Sequence, residues 1–232
     1  IRLMIKHIRK LFMSMILITT FGLGQPTFTE HTISNIVNGA WFVYAKDMDT
    51  DGDMDVLSAS FSDDKIAWYK NDGNENFSTY TISTSAGGAR SVYAADVNND
   101  GYMDALSASY SDNKIAWYQN DGNENFTEYV ISNTANGAYS VHVADVNGDG
   151  EIDVISASYS DNKIAWYQND GNENFTEYVI SNTANGAYSV HAADVDGDGD
   201  IDVVSASYYD NKIAWYQNDG NENFTTYVIS LS

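Results

Sequence analysis

Residues 130–178 read VISNTANGAYSVHVADVNGDGEIDVISASYSDNKIAWYQNDGNENFTEY, and residues 179–227 repeat them with six changes. The changes are Val143/Ala192, Asn147/Asp196, Glu151/Asp200, Ile155/Val204, Ser160/Tyr209 and Glu177/Thr226. Working outward, Val130-Ile131-Ser132 recurs as Val179-Ile180-Ser181 and Val228-Ile229-Ser230 on one side, and as Thr81-Ile82-Ser83 and Thr32-Ile33-Ser34 on the other, always 49 residues apart. A period of that length without insertions implies one supersecondary unit stacked on copies of itself.

Each unit reads as four short strands. In the second copy they are predicted over 91–95, 103–109, 114–119 and 126–132, all rich in Val, Ile, Tyr, Trp and Ala. Asp112-Asn113 and Asn120-Asp121-Gly122-Asn123 separate the last three, and such residues tolerate the positive φ of tight hairpins. No stretch beyond the N-terminus has helical periodicity. The expected fold is all-β, a propeller-like array of four 49-residue, four-stranded antiparallel blades, forming either an incomplete ring or a four-bladed one. In Lys114-Ile115-Ala116-Trp117-Tyr118 both strand faces are apolar, as blades packed face to face require. Trp68, Trp117, Trp166 and Trp215 are therefore expected between blades and not on a sugar.

The boundaries that follow are a signal peptide over 1–24, an outer strand over 25–34, and repeats over 35–83, 84–132, 133–181 and 182–232. The signal is read from a basic start (Arg2, Lys6, Arg9, Lys10), an apolar run over 11–23, and the small residues Gly22 and Gly24 before Gln25. That run is shorter than the ~20 residues of a membrane span, so export to the cell surface or the medium is expected. Downstream of residue 10, seven Lys and Arg face 33 Asp and Glu, a surface that repels nucleic acid and attracts cations. The absence of cysteine removes disulfides, thiolate metal sites and cysteine nucleophiles.

Between the first and second strands every unit carries one acidic loop. The first is Asp47-Met-Asp49-Thr-Asp51-Gly52-Asp53-Met-Asp55 and the second Asp96-Val-Asn98-Asn-Asp100-Gly101-Tyr102-Met-Asp104. The third is Asp145-Val-Asn147-Gly-Asp149-Gly150-Glu151-Ile-Asp153, the fourth Asp194-Val-Asp196-Gly-Asp198-Gly199-Asp200-Ile-Asp202. Calcium takes six to eight hard oxygens, and alternate side chains of a tightly turned loop converge on one point. Positions 1, 3, 5 and 9 are the candidate side-chain ligands, position 7 offers its backbone carbonyl, and the glycine at position 6 permits the turn. About one calcium ion per repeat is expected, because carboxylates so crowded repel one another without a cation. Asp at position 3 of the first and fourth loops, against Asn98 and Asn147, suggests that these two bind more tightly. The loop is no EF-hand, since Ser58 holds the twelfth place and strands flank it. A second polar segment, Asp72-Gly-Asn74-Glu-Asn76, lacks the glycine at position 6 and reads as a hairpin turn.

These units resemble the FG-GAP and VCBS repeats of bacterial surface proteins, which are related to the calcium-bearing blades of the integrin α-subunit propeller. The resemblance spans residues 26–232 and rests on the Asp-rich loop followed by an apolar strand. It implies calcium ligands at the same loop positions. The chain departs from the namesake motif, with Ser58-Ala59-Ser60 in place of Gly-Ala-Pro and Asn38-Gly39-Ala40 near the place of Phe-Gly.

The function expected is a non-catalytic extracellular recognition or adhesion module with a protein or glycan ligand, carbohydrate among the candidates. The alternatives are an accessory propeller of a larger extracellular enzyme and a structural spacer. One column varies in kind on an otherwise repeated scaffold, Trp41, Arg90, Tyr139 and Tyr188, and is where specificity would lie. No nucleophile motif is present, and His142 and His191 occupy positions held by Tyr44 and Tyr93 in the other copies, which argues for packing. Because residues 28–34 duplicate a fourth strand that no unit lacks, the array is expected to continue in a longer chain or to associate with a second copy. The competing expectation is a closed four-bladed ring.

Overall fold

The computed structural model describes residues 29–231, so the expected signal peptide over 1–24 lies outside the described residues. Sixteen strands follow in four groups: β1 (Ala40–Lys46), β2 (Asp55–Ser60), β3 (Lys65–Asn71) and β4 (Phe77–Ser83) form the first, and β5 (Ala89–Ala95), β6 (Asp104–Ser109), β7 (Lys114–Asn120) and β8 (Phe126–Ser132) the second. The third holds β9 (Ala138–Ala144), β10 (Asp153–Ser158), β11 (Lys163–Asn169) and β12 (Phe175–Ser181); the fourth β13 (Ala187–Ala193), β14 (Asp202–Ser207), β15 (Lys212–Asn218) and β16 (Phe224–Leu231). Each group is an antiparallel sheet whose strands pair in chain order, which makes four blades. The third-to-fourth strand hairpin turns at Gly122, φ 74°, and Glu124, φ 65°, in the second blade, with equivalents in the others.

The blades stack through their faces. Leu57, Ala59, Ile66 and Trp68 of the first blade meet Val92, Ala94, Ala105 and Tyr118 of the second, and all are essentially excluded from water. The same contact recurs between the second and third blades and between the third and fourth. Trp68, Trp117 and Trp166 are each 1% exposed within these inter-blade clusters, as expected, whereas Trp215, on the end face of the fourth blade, is only half-buried. Burying such a side chain removes enough apolar surface to contribute about 2–3 kcal/mol. In β6 and β10 every residue is buried, as strands sandwiched on both faces require.

The innermost strands lie in the order β1, β5, β9, β13, each packed on the next. The array does not close on itself. Val43 on the outer face of the first blade is 65% exposed, whereas its equivalents Val92, Val141 and Val190 are 0, 3 and 4% exposed. At the other end Ile213 is 42% exposed, whereas Ile66, Ile115 and Ile164 are fully buried. Of the two ring forms expected, the incomplete one is therefore found.

The expected outer strand over 25–34 is not formed over its described part, residues 29–34, which carry no strand. The reason is pairing. Each third strand already has its fourth-strand partner within the blade, including β15 with β16, so the extra copy of that sequence meets no open edge there.

Tyr44, Tyr93, His142 and His191 form a ladder up the inner strands, with ring centroids 4.3, 4.9 and 4.1 Å apart. Burial, and then the charge of His191, push the His142 imidazole down to about 4 from 6.5. The native state therefore holds His142 neutral while the unfolded chain protonates it, so its contribution is intact above pH 6.5 and is lost as pH falls from there toward 4. Urea midpoints at pH 7 and pH 5 should fall further in the wild type than in His142→Tyr, the residue the earlier blades already use. Equal losses would contradict this reading.

Candidate metal centres and an aromatic bowl

The four acidic loops join the first strand of each blade to the second. Two left-handed residues, at positions 4 and 6, tighten each one: Thr50 (φ 60°) and Gly52 (φ 98°) in the first, Gly197 (φ 81°) and Gly199 (φ 99°) in the fourth. The glycine at position 6 was foreseen; the second left-handed residue, at position 4, was missed, although Asn99, Gly148 and Gly197 at that place in the later loops carry the signal.

Backbone amides then orient the carboxylates. In all four loops the position-1 Asp accepts from the glycine at position 6, as in Gly52 N–H to Asp47 Oδ2 at 2.9 Å. The position-5 Asp accepts from position 7, as in Asp53 N–H to Asp51 Oδ1 at 3.0 Å. The position-9 Asp is wholly buried; Asp55 accepts from Met48 N–H at 3.0 Å and from Asn71 N–H at 2.7 Å, tying the loop to the end of β3. Burial pushes the equivalent Asp104 and Asp153 carboxyls up to about 6 despite the same amide donors.

Among the expected ligands, positions 1, 3 and 9 come together. Asp47, Asp49 and Asp55 each offer an oxygen, all within 4.8 Å of one another, and so do Asp194, Asp196 and Asp202. Asp47 Oδ1 and Asp49 Oδ1 are buried without a hydrogen-bond partner, a costly state for an anionic oxygen that a cation between them would relieve. In the second and third loops position 3 is an amide, and Asn98 and Asn147 donate to Asp100 and Asp149 at 2.9 and 2.8 Å. Asp51 and Asp198 spend one oxygen on the turn and stand outside the carboxylate triads. The position-7 side chains, Asp53, Tyr102, Glu151 and Asp200, turn away onto the hairpin glycines Gly73, Gly122, Gly171 and Gly220, where a Cβ would collide with Asp53, Tyr102 and Asp200 and press on Glu151. Position 7 can therefore contribute only its carbonyl. The all-oxygen donor set fits calcium, and magnesium less well because it keeps most of its waters.

The other end of the strands carries a second feature. In every blade a bulge falls in the first strand at the varied column: pairing shifts between Ala40 and Phe42, Ala89 and Ser91, Ala138 and Ser140, and Ala187 and Ser189. Bulges re-aim a side chain. Here Trp41, Arg90, Tyr139 and Tyr188 converge with Tyr110, Tyr159, Tyr208 and Tyr209, from the turns after the second strands, around a bowl of about 580 Å³. The Arg90 guanidinium lies 3.7 Å from the Trp41 ring centroid and 4.8 Å from that of Tyr139, and donates to Tyr139 Oη at 3.3 Å. The turn aromatics were missed by sequence reasoning, although the column Phe61, Tyr110, Tyr159, Tyr208 is visible there once the repeats are aligned.

The FG-GAP-like repeat matches residues 47–107, 96–156, 145–205 and 194–232 in overlapping copies. The chain belongs to the FG-GAP-like repeat family. No curated protein matches it by sequence. Among solved structures it is similar to a putative 6-phosphogluconolactonase from Bacteroides uniformis (15% identity, 81% of this chain and 55% of that one, TM-score 0.54). It is also similar to a protein from Lactobacillus plantarum (17%, 75% and 52%, TM-score 0.52) and to an auxiliary nutrient binding protein from Bacteroides ovatus (14%, 84% and 48%, TM-score 0.51). These FG-GAP-like repeats thus span about half the length of the structures they match, and at such identities the likeness is one of fold. Among the described residues no helix is long and apolar enough to cross a membrane.

One feature separates the first FG-GAP-like loop from the fourth. Lys70 Nζ sits 2.5 Å from Asp49 Oδ2 and 3.2 Å from Glu124, where the later blades have Gln119, Gln168 and Gln217. An ammonium beside position 3 would offset part of the field a divalent ion there would feel, whereas in the fourth loop Asp196 Oδ2 accepts only from the neutral Gln217 amide, at 2.5 Å. Lys70→Gln should tighten the first loop several-fold, seen as an added high-affinity step in a terbium luminescence titration. An unchanged titration would show that the lysine swings clear. The polar segment 72–76 behaves as the hairpin it was read to be: Asp72 accepts from Asn74 N–H at 2.9 Å and Asn76 Nδ2 at 3.0 Å. Those bonds, the Asn76 side chain first, hold its carboxyl below the usual range.

Proposed function

We propose that this protein is an exported, non-catalytic recognition module in which calcium holds the four acidic loops rigid at one end of the blades while the aromatic bowl at the other end binds a carbohydrate. The observation that carries the reading is the convergence of the bulged column with the turn tyrosines. Tyr and Trp rings offer flat apolar faces that match the C–H faces of pyranose rings, and their hydroxyl and indole groups bond sugar hydroxyls at little entropic cost. Arg90 adds a donor: its buried Nε has no hydrogen-bond partner within the fold. A carboxylated or sulfated sugar is the preferred ligand, since a guanidinium pairs with such groups in a fork.

Seven-residue strands put ~20 Å between bowl and loops, so the ion would not touch the ligand. Its part is to fix the loop ends of the strands and keep the blades in register. The test is a glycan array probed with the protein and with Tyr188→Ala, a residue 41% exposed and outside the blade core. The reading expects binding concentrated on acidic glycans and reduced about tenfold or more in the variant, the size of effect that losing one aromatic anchor produces. Equal binding by wild type and variant, or none at all in calcium, would overturn it.

A further inference from the structure

We infer that two copies of this chain associate head to tail, the face of the fourth blade of one docking on the face of the first blade of the other, to close a ring of eight blades. The argument is continuity with an interface that the chain already makes three times. At each internal junction the leading face of one blade meets the trailing face of the next, and both faces survive unpaired at the ends. On the fourth blade Val195 and Ile213 are 46 and 42% exposed, where Met48, Val97 and Val146, and Ile66, Ile115 and Ile164, are at most 2% exposed. On the first blade Val43 and Met54 are 65 and 62% exposed, while the equivalents of Val43 are nearly dry.

The polar contacts of the junction are in place as well. At the internal junctions the residue at the second turn accepts two backbone amides of the following blade: Asn162 O from Ala184 N–H at 3.0 Å, and Asn162 Oδ1 from Gly186 N–H at 2.8 Å. Asp64 and Asn113 do the same. Asn211 is the matching acceptor on the fourth blade, and Val37 and Gly39 are the matching donors ahead of the first. A further bond runs from Asn218 Nδ2 back to Val146 O at 3.0 Å; Asn71 and Val195 hold the corresponding positions at the two ends. The two end faces are thus complementary to each other and not to themselves, which makes the contact heterologous. Two such contacts close a pair with two-fold symmetry. Exposed apolar end faces are otherwise a solubility liability.

The experiment is light scattering on the chain in millimolar calcium, with Val43→Glu blocking one face and Ile213→Glu the other. The wild type should have twice the chain mass. Each variant alone should be a monomer, because every contact uses one of each face, and mixing the two should restore a dimer through the single junction left intact. A monomeric wild type overturns the inference. So does a variant that stays dimeric alone, which would mean like faces meet, and so does a mass that climbs without limit with concentration, which would mean an open filament. Circular dichroism checks folding, and Met54→Glu with Val195→Glu is a second pair at equally exposed positions should either first variant not fold.

Discussion

Stripping calcium should lower the melting temperature of this protein more than any single surface substitution. Each loop crowds carboxylates whose oxygens are oriented by amides and, at Asp47 and Asp49, buried without partners. Without a cation their repulsion and desolvation count against the native state alone, since the unfolded chain disperses them. An ion bound only to the native state adds RT ln(1 + [L]/Kd), about 2.7 kcal/mol for each site at a hundredfold excess over Kd. For a chain of this size that is roughly 5 to 10 °C per filled site. Differential scanning calorimetry in chelator and in millimolar calcium should differ accordingly, with magnesium giving much less. Identical transitions would mean that the loops are acidic turns and nothing more.

The second large effect tests the stacking. Ile115 and Ile213 occupy the same place in the same Lys-Ile-Ala-Trp-Tyr strand, yet Ile115 is buried between blades and Ile213 lies on the end face. Truncating a buried isoleucine to alanine costs about 2–5 kcal/mol through lost burial and the cavity left behind. Ile115→Ala should therefore destabilise by that much, and Ile213→Ala by less than about 1 kcal/mol, as is usual for a surface substitution. Both are to be measured by urea unfolding in a Val43→Glu background, so that association does not rebury Ile213. Equal costs would show that the fourth blade is covered after all.

Most of the blade was legible because the repeat averages out ambiguity. Strands predicted over 114–119 and 126–132 fall within a residue of β7 and β8, since a short apolar run from Ile115 to Tyr118 precedes the Asp-Gly-Asn turn that separates the two. The start of β5 was placed at Ser91, two residues late, because the bulge at Arg90 breaks the two-residue period that the reading relied on. That same bulge builds the bowl, so the varied column was visible in the sequence and its convergence with Tyr110 and Tyr159 was not. The acidic loops were legible as donor chemistry, but the ion pair that separates the first from the fourth was not, because Lys70 reaches Asp49 across 21 residues of chain and a hairpin. The strand expected over residues 28–34 shows the limit of pattern matching. A segment with fourth-strand sequence takes that place only where a third strand lacks its partner, and among the described residues none does.

The central claim is that these repeats are calcium sites, and isothermal titration of the metal-free protein with calcium tests it most directly. The account predicts about four ions per chain, released by chelator, with the tightest step abolished in Asp196→Asn, which gives the fourth loop the amide of the second and third. A titration without saturable heat, or one that Asp196→Asn leaves untouched, would contradict it.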